Sequence, residues 1–370
     1  MTDSFLSRLQ EATRLVRLGR TSGATRLIRS NLMGETPPPT VPGRPRRPLP
    51  EVIGLLKSGR TAADSFLNPP RQRREISEPI PEGASFLSSS FACEAGERNY
   101  KLYVPSGGND QPRPLVVMLH GCTQDPDDFA AGTGMNRLAE ELDFLVAYPE
   151  QTALSNQLKC WNWFNPRDQV RDHGEPAIIA GIAREIATRR NIDRSRICII
   201  GLSAGGAMAA VLGKTHPDVF AGIGVHSGLP YGAASDVPSA FAAMRNQRVN
   251  GILMNPRSSS PDAIDAAPRT IVFHGGADTT VHPENGARVF ADACARSHVD
   301  IDTQDGIATG GRRYSVSRAI SPGGETVAEH WLVHGAGHAW SGGRAAGSYT
   351  DPRGPDASRE MLRFLLCSGR

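Results

Sequence analysis

Apolar runs of strand length recur from residue 114 onward, and each stops in a cluster of small or polar residues. PLVVMLHG (114–121) and RICIIG (196–201) are followed by VFAGIGVHSG, RTIVFHGGAD and AEHWLVHGAGH, each closing in a Gly-, His- or Asp-rich loop. PLVVMLHG is continuously apolar, the pattern of a strand buried on both faces of a parallel sheet. Helical patterns lie between them. MNRLAEELDFLVAYPE (135–150) reads as a helix and then a strand, and EPAIIAGIAREIATRR (175–190) as a helix. Ahead of them SFLSSSFACEAGERNYKLYVPSG reads as a β-hairpin. Strands alternating with helices predict an α/β fold with a mostly parallel, doubly wound sheet. Functional residues are then expected just past the carboxyl ends of the strands.

The first 83 residues do not share this pattern. Residues 1–75 carry 14 Lys and Arg against 6 Asp and Glu, whereas the whole chain is only +3. Phe5, Leu9, Ala12 and Val16 recur at helical spacing, as do Ala24, Leu27 and Ile28, with Gly19 and Gly23 bracketing a turn. TPPPTVPGRPRRPLP (36–50) and NPPRQRREISEPIPEG (68–83) are too proline-rich for helix. The expected organisation is therefore a basic helical hairpin with a Pro/Arg-rich linker over 1–83 and a catalytic α/β domain over 84–370. A basic arm on an acidic body suits an anionic surface or partner, or simply solvent. No run of 18 apolar residues is present, so no spanning helix is expected. The N-terminus lacks the apolar block of a secretory signal, so a cytoplasmic location is expected. Six cysteines without a C-x-x-C pair predict neither a zinc site nor a disulfide scaffold, and Cys198 falls in a buried strand pattern.

Between the strand RICII and the helical AMAAVLGK stands Gly201-Leu202-Ser203-Ala204-Gly205. A phosphate-binding loop needs a Lys after its glycines, and none follows. A dinucleotide fingerprint belongs near a first strand, and this segment is mid-domain. What remains is Gly-x-Ser-x-Gly between strand and helix, a nucleophile elbow with Ser203 at its tip. Serine needs a base held by an acid. In this arrangement acid and histidine follow in chain order. Asp278 comes 75 residues later, past the strand RTIVFHGG, and His338 another 60 on, past HWLVHGAG. His334 and Asp351 are the rivals. His334 sits inside the strand pattern and reads as a packed histidine. The expected oxyanion donors are the amide of Ala204, which follows the serine, and that of Cys122, in the loop that ends PLVVMLHG.

Taken together, HGCTQ, CWNWF, GEPAIIAG, GLSAGG, VHSGLPYGAA, FHGGADTTVHP and HGAGHAWSGG resemble the polyhydroxybutyrate depolymerase family of esterases over roughly residues 85–370. The extension resembles that of the family's intracellular members. The resemblance implies an α/β-hydrolase fold, with Ser203 as nucleophile, Asp278 as acid, His338 as base and Cys122 at the oxyanion position. It implies hydrolysis of short-chain poly(3-hydroxyalkanoate) esters or their oligomers, at or near storage granules, with no cofactor and no metal; no nucleic-acid partner is expected. Feruloyl and acetylxylan esterases neighbour this family and form the alternative. A non-catalytic granule-associated protein with a hydrolase body ranks below both. A hydroxyalkanoate repeat is small, apolar and uncharged, so aromatic subsites are expected. Trp161, Trp163, Phe164 and Trp340 are the candidates. Cys160, beside Trp161, leaves a bond to Cys122 open, against the expected reducing compartment.

Overall fold

A computed structural model describes residues 79–108, 111–247, 268–295 and 298–366. The expected helical hairpin and most of the linker fall in residues 1–78, outside the described residues. The larger sheet is built of β1 (Ser85–Cys93), β2 (Gly96–Val104), β3 (Arg113–Leu119), β4 (Leu145–Pro149), β5 (Ile192–Leu202), β6 (Gly222–His226), β7 (Arg269–Gly275), β8 (Asp300–Ile307), β9 (Arg313–Ile320) and β10 (Thr326–Val333). The described helices are α1 (Pro126–Thr133), α2 (Met135–Leu142), α3 (Gly174–Arg189), α4 (Ala204–Thr215), α5 (Val237–Met244), α6 (Glu284–Cys294) and α7 (Ala357–Leu366). A two-stranded ribbon, β11 (Trp340–Ser341) with β12 (Thr350–Asp351), follows β10.

The strand order is β1-β2-β4-β3-β5-β6-β7-β10-β9-β8. Its centre, from β4 through β3, β5, β6 and β7 to β10, is parallel throughout. Antiparallel strands close both flanks: β2 and β1 on one side, β9 and β8 on the other. The expected α/β-hydrolase architecture is the one observed. All residues of β3, β4 and β6 are buried, which explains their mostly apolar sequences, Arg113 and His226 excepted.

Alternation along each strand divides the core in two. Leu115, Val117, Leu119, Ile197 and Ile199 share one cluster with Ile178 and Ile182 of α3 and Met208 and Leu212 of α4. Val116, Met118, Cys198 and Ile200 share the other with Phe129 of α1, Leu138 of α2 and Met361 and Phe364 of α7. Burying one such side chain stabilises the fold by about 1.5–3 kcal/mol. Because the six central strands run parallel, their carboxyl ends lie at one edge of the sheet, where functional residues are expected.

None of α1, α5, α6, α7, the β8–β9 hairpin or the β11–β12 ribbon was expected from the sequence. In α1, Asp125 accepts a hydrogen bond from the Asp128 amide (3.0 Å) and Pro126 opens the first turn, a capping signal contained in DPDDF. In the β8–β9 hairpin β8 is largely exposed and β9 mostly half-buried, so its sequence lacks an apolar run. Asp300, Asp302 and Asp305 on the outermost strand oppose pairing with another chain.

Candidate active site

Ser203 follows β5 and occupies the N-cap position of α4 with φ 57° and ψ −119°. This is a backbone setting that L-residues with a side chain avoid unless the surroundings impose it. Two glycines permit it. A Cβ on Gly201 would stand 2.3 Å from the carbonyl of Gly205, and one on Gly205 would stand 2.2 Å from the Leu119 carbonyl oxygen. Helix α4 therefore packs its first turn directly on β5 and on the end of β3. The Ser203 amide donates to the His226 carbonyl at the end of β6 (2.8 Å), and its hydroxyl is not spent on capping α4. The N-terminal end of α4 carries partial positive charge where negative charge on a bound carbonyl would grow.

Asp278 lies in the loop after β7, with its side chain fully buried. One carboxylate oxygen accepts from the amides of Thr280 and Val281, both at 2.9 Å. The other accepts from His338 Nδ1 at 2.7 Å. Burial alone would raise the pKa of Asp278; the His338 hydrogen bond and charge, with the Val281 amide, outweigh it and hold the group below its ordinary value. The bond fixes the neutral His338 ring with its proton on Nδ1, which leaves Nε2 as the basic nitrogen. His274 lies behind the carboxylate, Nε2 3.6 Å from Asp278 Oδ2, and hydrogen-bonds the Val281 carbonyl (2.9 Å).

The rivals are elsewhere. His334 is exposed rather than packed, with Nε2 2.9 Å from Ser315 Oγ on β9. Asp351 is ion-paired to Arg312 at 2.6 Å.

Of the amides after β3, Gly121 donates to Gln124 Oε1 (2.9 Å), Thr123 to Leu158 O (2.7 Å) and Gln124 to Gly121 O (3.3 Å). Those of Cys122 and Ala204 donate to none of the described residues. The loop is fastened from below. The buried His120 donates through Nδ1 to Gly121 O (2.8 Å) and accepts the Gln151 amide on Nε2 (3.1 Å). Burial pushes its pKa down to about 4, so the ring is neutral.

The sequence left a bond between Cys122 and Cys160 open; the structure joins them in a disulfide. Such bonds are rare in reducing compartments, which is why the pairing stood against the expected cytoplasmic location. The segment that carries Cys160 is itself anchored on the buried Glu175. That carboxylate accepts from the Asn162 amide (2.7 Å), Asn162 Nδ2 (2.8 Å), Arg98 and Gln151 Nε2.

The tryptophans are buried. Trp161 is 0% exposed and donates Nε1 to the His120 carbonyl (3.1 Å). Trp340 is 1% exposed, lies against His226 (4.9 Å between ring centres) and donates to Ser358 Oγ (3.0 Å). Trp163 is buried edge-on to Phe164. Trp161 and Trp340 thus present almost no ring surface and Trp163 only 6%, and all three pack into the body of the domain. Phe164 is only half-buried. Residues that sequence reading missed are His120, His226, Gln151 and Glu175; VHSG was visible as a strand end, but nothing local gives its histidine a partner.

Among the described residues no group of three or more His, Cys, Asp or Glu side chains is arranged to hold a metal ion, and no helix is long and apolar enough to cross a membrane.

The family described as Esterase PHB depolymerase matches residues 98–320, a span that includes Ser203 and Asp278 and stops short of His338. Poly(3-hydroxyalkanoate) depolymerase C of Paucimonas lemoignei is 33% identical over 257 residues, covering 68% of this chain and 60% of that protein. Feruloyl esterase B of Thermothelomyces thermophilus is 30% identical over 192 residues, covering 50% of this chain and 65% of its own. The matched region thus spans between 60% and 65% of the length of these relatives. Among solved structures, an acetyl xylan esterase from Aspergillus awamori superposes with a TM-score of 0.54 at 21% identity, covering 65% of this chain and 89% of that one, a likeness of fold.

Proposed function

The chain belongs to the Esterase PHB depolymerase family, and from that premise we propose that it is a serine esterase that cleaves short-chain poly(3-hydroxyalkanoate) polyester or its oligomers through Ser203, His338 and Asp278. The observation that carries the reading is the 2.7 Å hydrogen bond from His338 Nδ1 to the buried Asp278, in a fold that sets Ser203 on a strained strand-to-helix turn.

Ser203 Oγ attacks the ester carbonyl carbon while His338 Nε2 takes its proton. Asp278 remains ionised and stabilises the imidazolium. The carbonyl oxygen becomes an oxyanion and accepts from the amides of Cys122 and Ala204; losing one such donor typically costs ~3 kcal/mol of transition-state stabilisation. The C–O bond breaks, His338 gives its proton to the departing alkoxide, and the acyl group stays on Ser203. Water, deprotonated by His338, attacks the acyl-enzyme by the same route and frees the acid.

The polyester is the first choice because the depolymerase relative combines the higher identity with the wider coverage. The feruloyl and acetylxylan esterases among the relatives supply the second reading. The test is a direct comparison of 3-hydroxybutyrate release from amorphous poly(3-hydroxybutyrate) with turnover of methyl ferulate and acetylated xylan. Polyester turnover well above both is expected. Efficient cleavage of ferulate or acetylxylan with an inert polyester overturns the substrate while keeping the chemistry.

A further inference from the structure

His226, the last residue of β6, touches both halves of the site without facing the substrate. Its ring is 1% exposed and stacks with Trp340 (4.9 Å) and Phe273 (5.9 Å). Its carbonyl accepts the amide of Ser203 (2.8 Å). Its Nε2 accepts the amide of Ser341 (2.9 Å), three residues beyond His338. The flanking amides of Trp340 and Gly342 are already taken by Tyr349 O (2.7 Å) and Asp351 O (2.9 Å) across the β11–β12 ribbon. The Ser341 amide therefore points the opposite way, into the core, where His226 Nε2 is its acceptor. Accepting on Nε2 places the ring proton on Nδ1, toward Ser227 Oγ (3.2 Å). Burial pushes the ring's pKa down to about 3, so the acceptor persists across working pH.

We infer that His226 is a positioning residue: it sets the distance between the Ser203 elbow and the His338 loop, its carbonyl holding one and its Nε2 the other. The inference rests on the reading of Ser203 as nucleophile and His338 as base. A buried amide that loses its acceptor draws its loop toward another partner or water, and His338 moves with it. The Asp278 bond holds one side of the imidazole only, so a shift of the loop turns Nε2 away from Ser203 without removing any reacting group.

The test uses three variants of the full chain on a soluble p-nitrophenyl ester. His226→Asn retains an amide near the Nδ1 position but does not reach Ser341. His226→Leu removes all polar atoms. His226→Gln places Oε1 close to where Nε2 stood. His226→Asn and His226→Leu are expected to lower kcat by about ten- to a hundredfold, the range produced by small misplacements of catalytic groups, with KM little changed. His226→Gln is expected to recover most of the loss. Wild-type kcat in folded His226→Asn overturns the inference. So does a His226→Gln enzyme no faster than His226→Asn, because the ring then matters for packing and not for its acceptor. If His226→Leu does not fold, the Asn–Gln comparison decides alone. Ser203→Ala assayed alongside separates the two levels: retained activity there overturns the nucleophile assignment, whereas inactive Ser203→Ala beside fully active His226→Asn overturns only the role of His226.

Discussion

Replacing Ser203 with Ala removes one hydroxyl from a turn whose shape is imposed by Gly201, Gly205 and the end of β3. The fold is expected to survive with its melting temperature nearly unchanged, and ester turnover to fall by on the order of 10⁴-fold or more. His338→Ala and Asp278→Asn should fall into the same range. The double variants should be little worse than the singles, since the groups act as a unit. His334→Ala should stay near wild type, because its ring faces Ser315 on β9 and not Asp278. A normal His338→Ala beside a crippled His334→Ala would show that the wrong histidine has been assigned. Ser203, Asp278 and His338 stood out in the sequence because they follow β5, β7 and β10, parallel strands whose carboxyl ends lie at one edge of the sheet. His226 closes a strand too. Its importance lies in an amide of another loop, 115 positions away, which no local pattern encodes.

At the scale of elements, the loop after β3 and the segment 156–163 behave as one clamp. The disulfide, the Thr123–Leu158 hydrogen bond and the Trp161–His120 hydrogen bond bind them side by side. The bridged cysteines are 38 residues apart, and in the chain-entropy account closing such a loop stabilises the fold by about 4 kcal/mol. Cys122→Ala and Cys160→Ala should therefore lower the melting temperature equally, and the double variant should match either single. Activity should fall equally in both singles, since each frees the same oxyanion loop. A loss confined to Cys122→Ala would mean that its thiol acts in its own right. The burial of the tryptophans could not be read from the sequence. An aromatic residue beside a site and one beneath its floor have the same neighbours in sequence. Only the packing against His120 and Ser358 separates them. The central strands were legible because burial on both faces leaves a mostly apolar run, whereas the half-exposed β8–β9 hairpin writes no such signal.

For the whole molecule, the buried neutral histidines set an acid limit. His120 and His226 are held down to about 4 and about 3 by burial, against about 6.5 in the unfolded chain. Between those values the unfolded state binds more protons than the folded one, so stability must fall as pH drops below about 6.5. Each ring contributes on the order of 3 kcal/mol or more to that loss by the time its folded pKa is reached. A melting temperature that declines steadily from pH 6.5 to 4 is expected, with a shallower decline in His226→Gln; a flat profile would contradict it. The central claim is that the whole chain presents one activated serine. Its most direct test is intact-mass spectrometry after brief exposure to a fluorophosphonate. One adduct per chain is predicted, mapped by peptide analysis to Ser203, absent in Ser203→Ala and formed far more slowly in His338→Ala. An adduct on another residue, or labelling of His338→Ala at the wild-type rate, would contradict it.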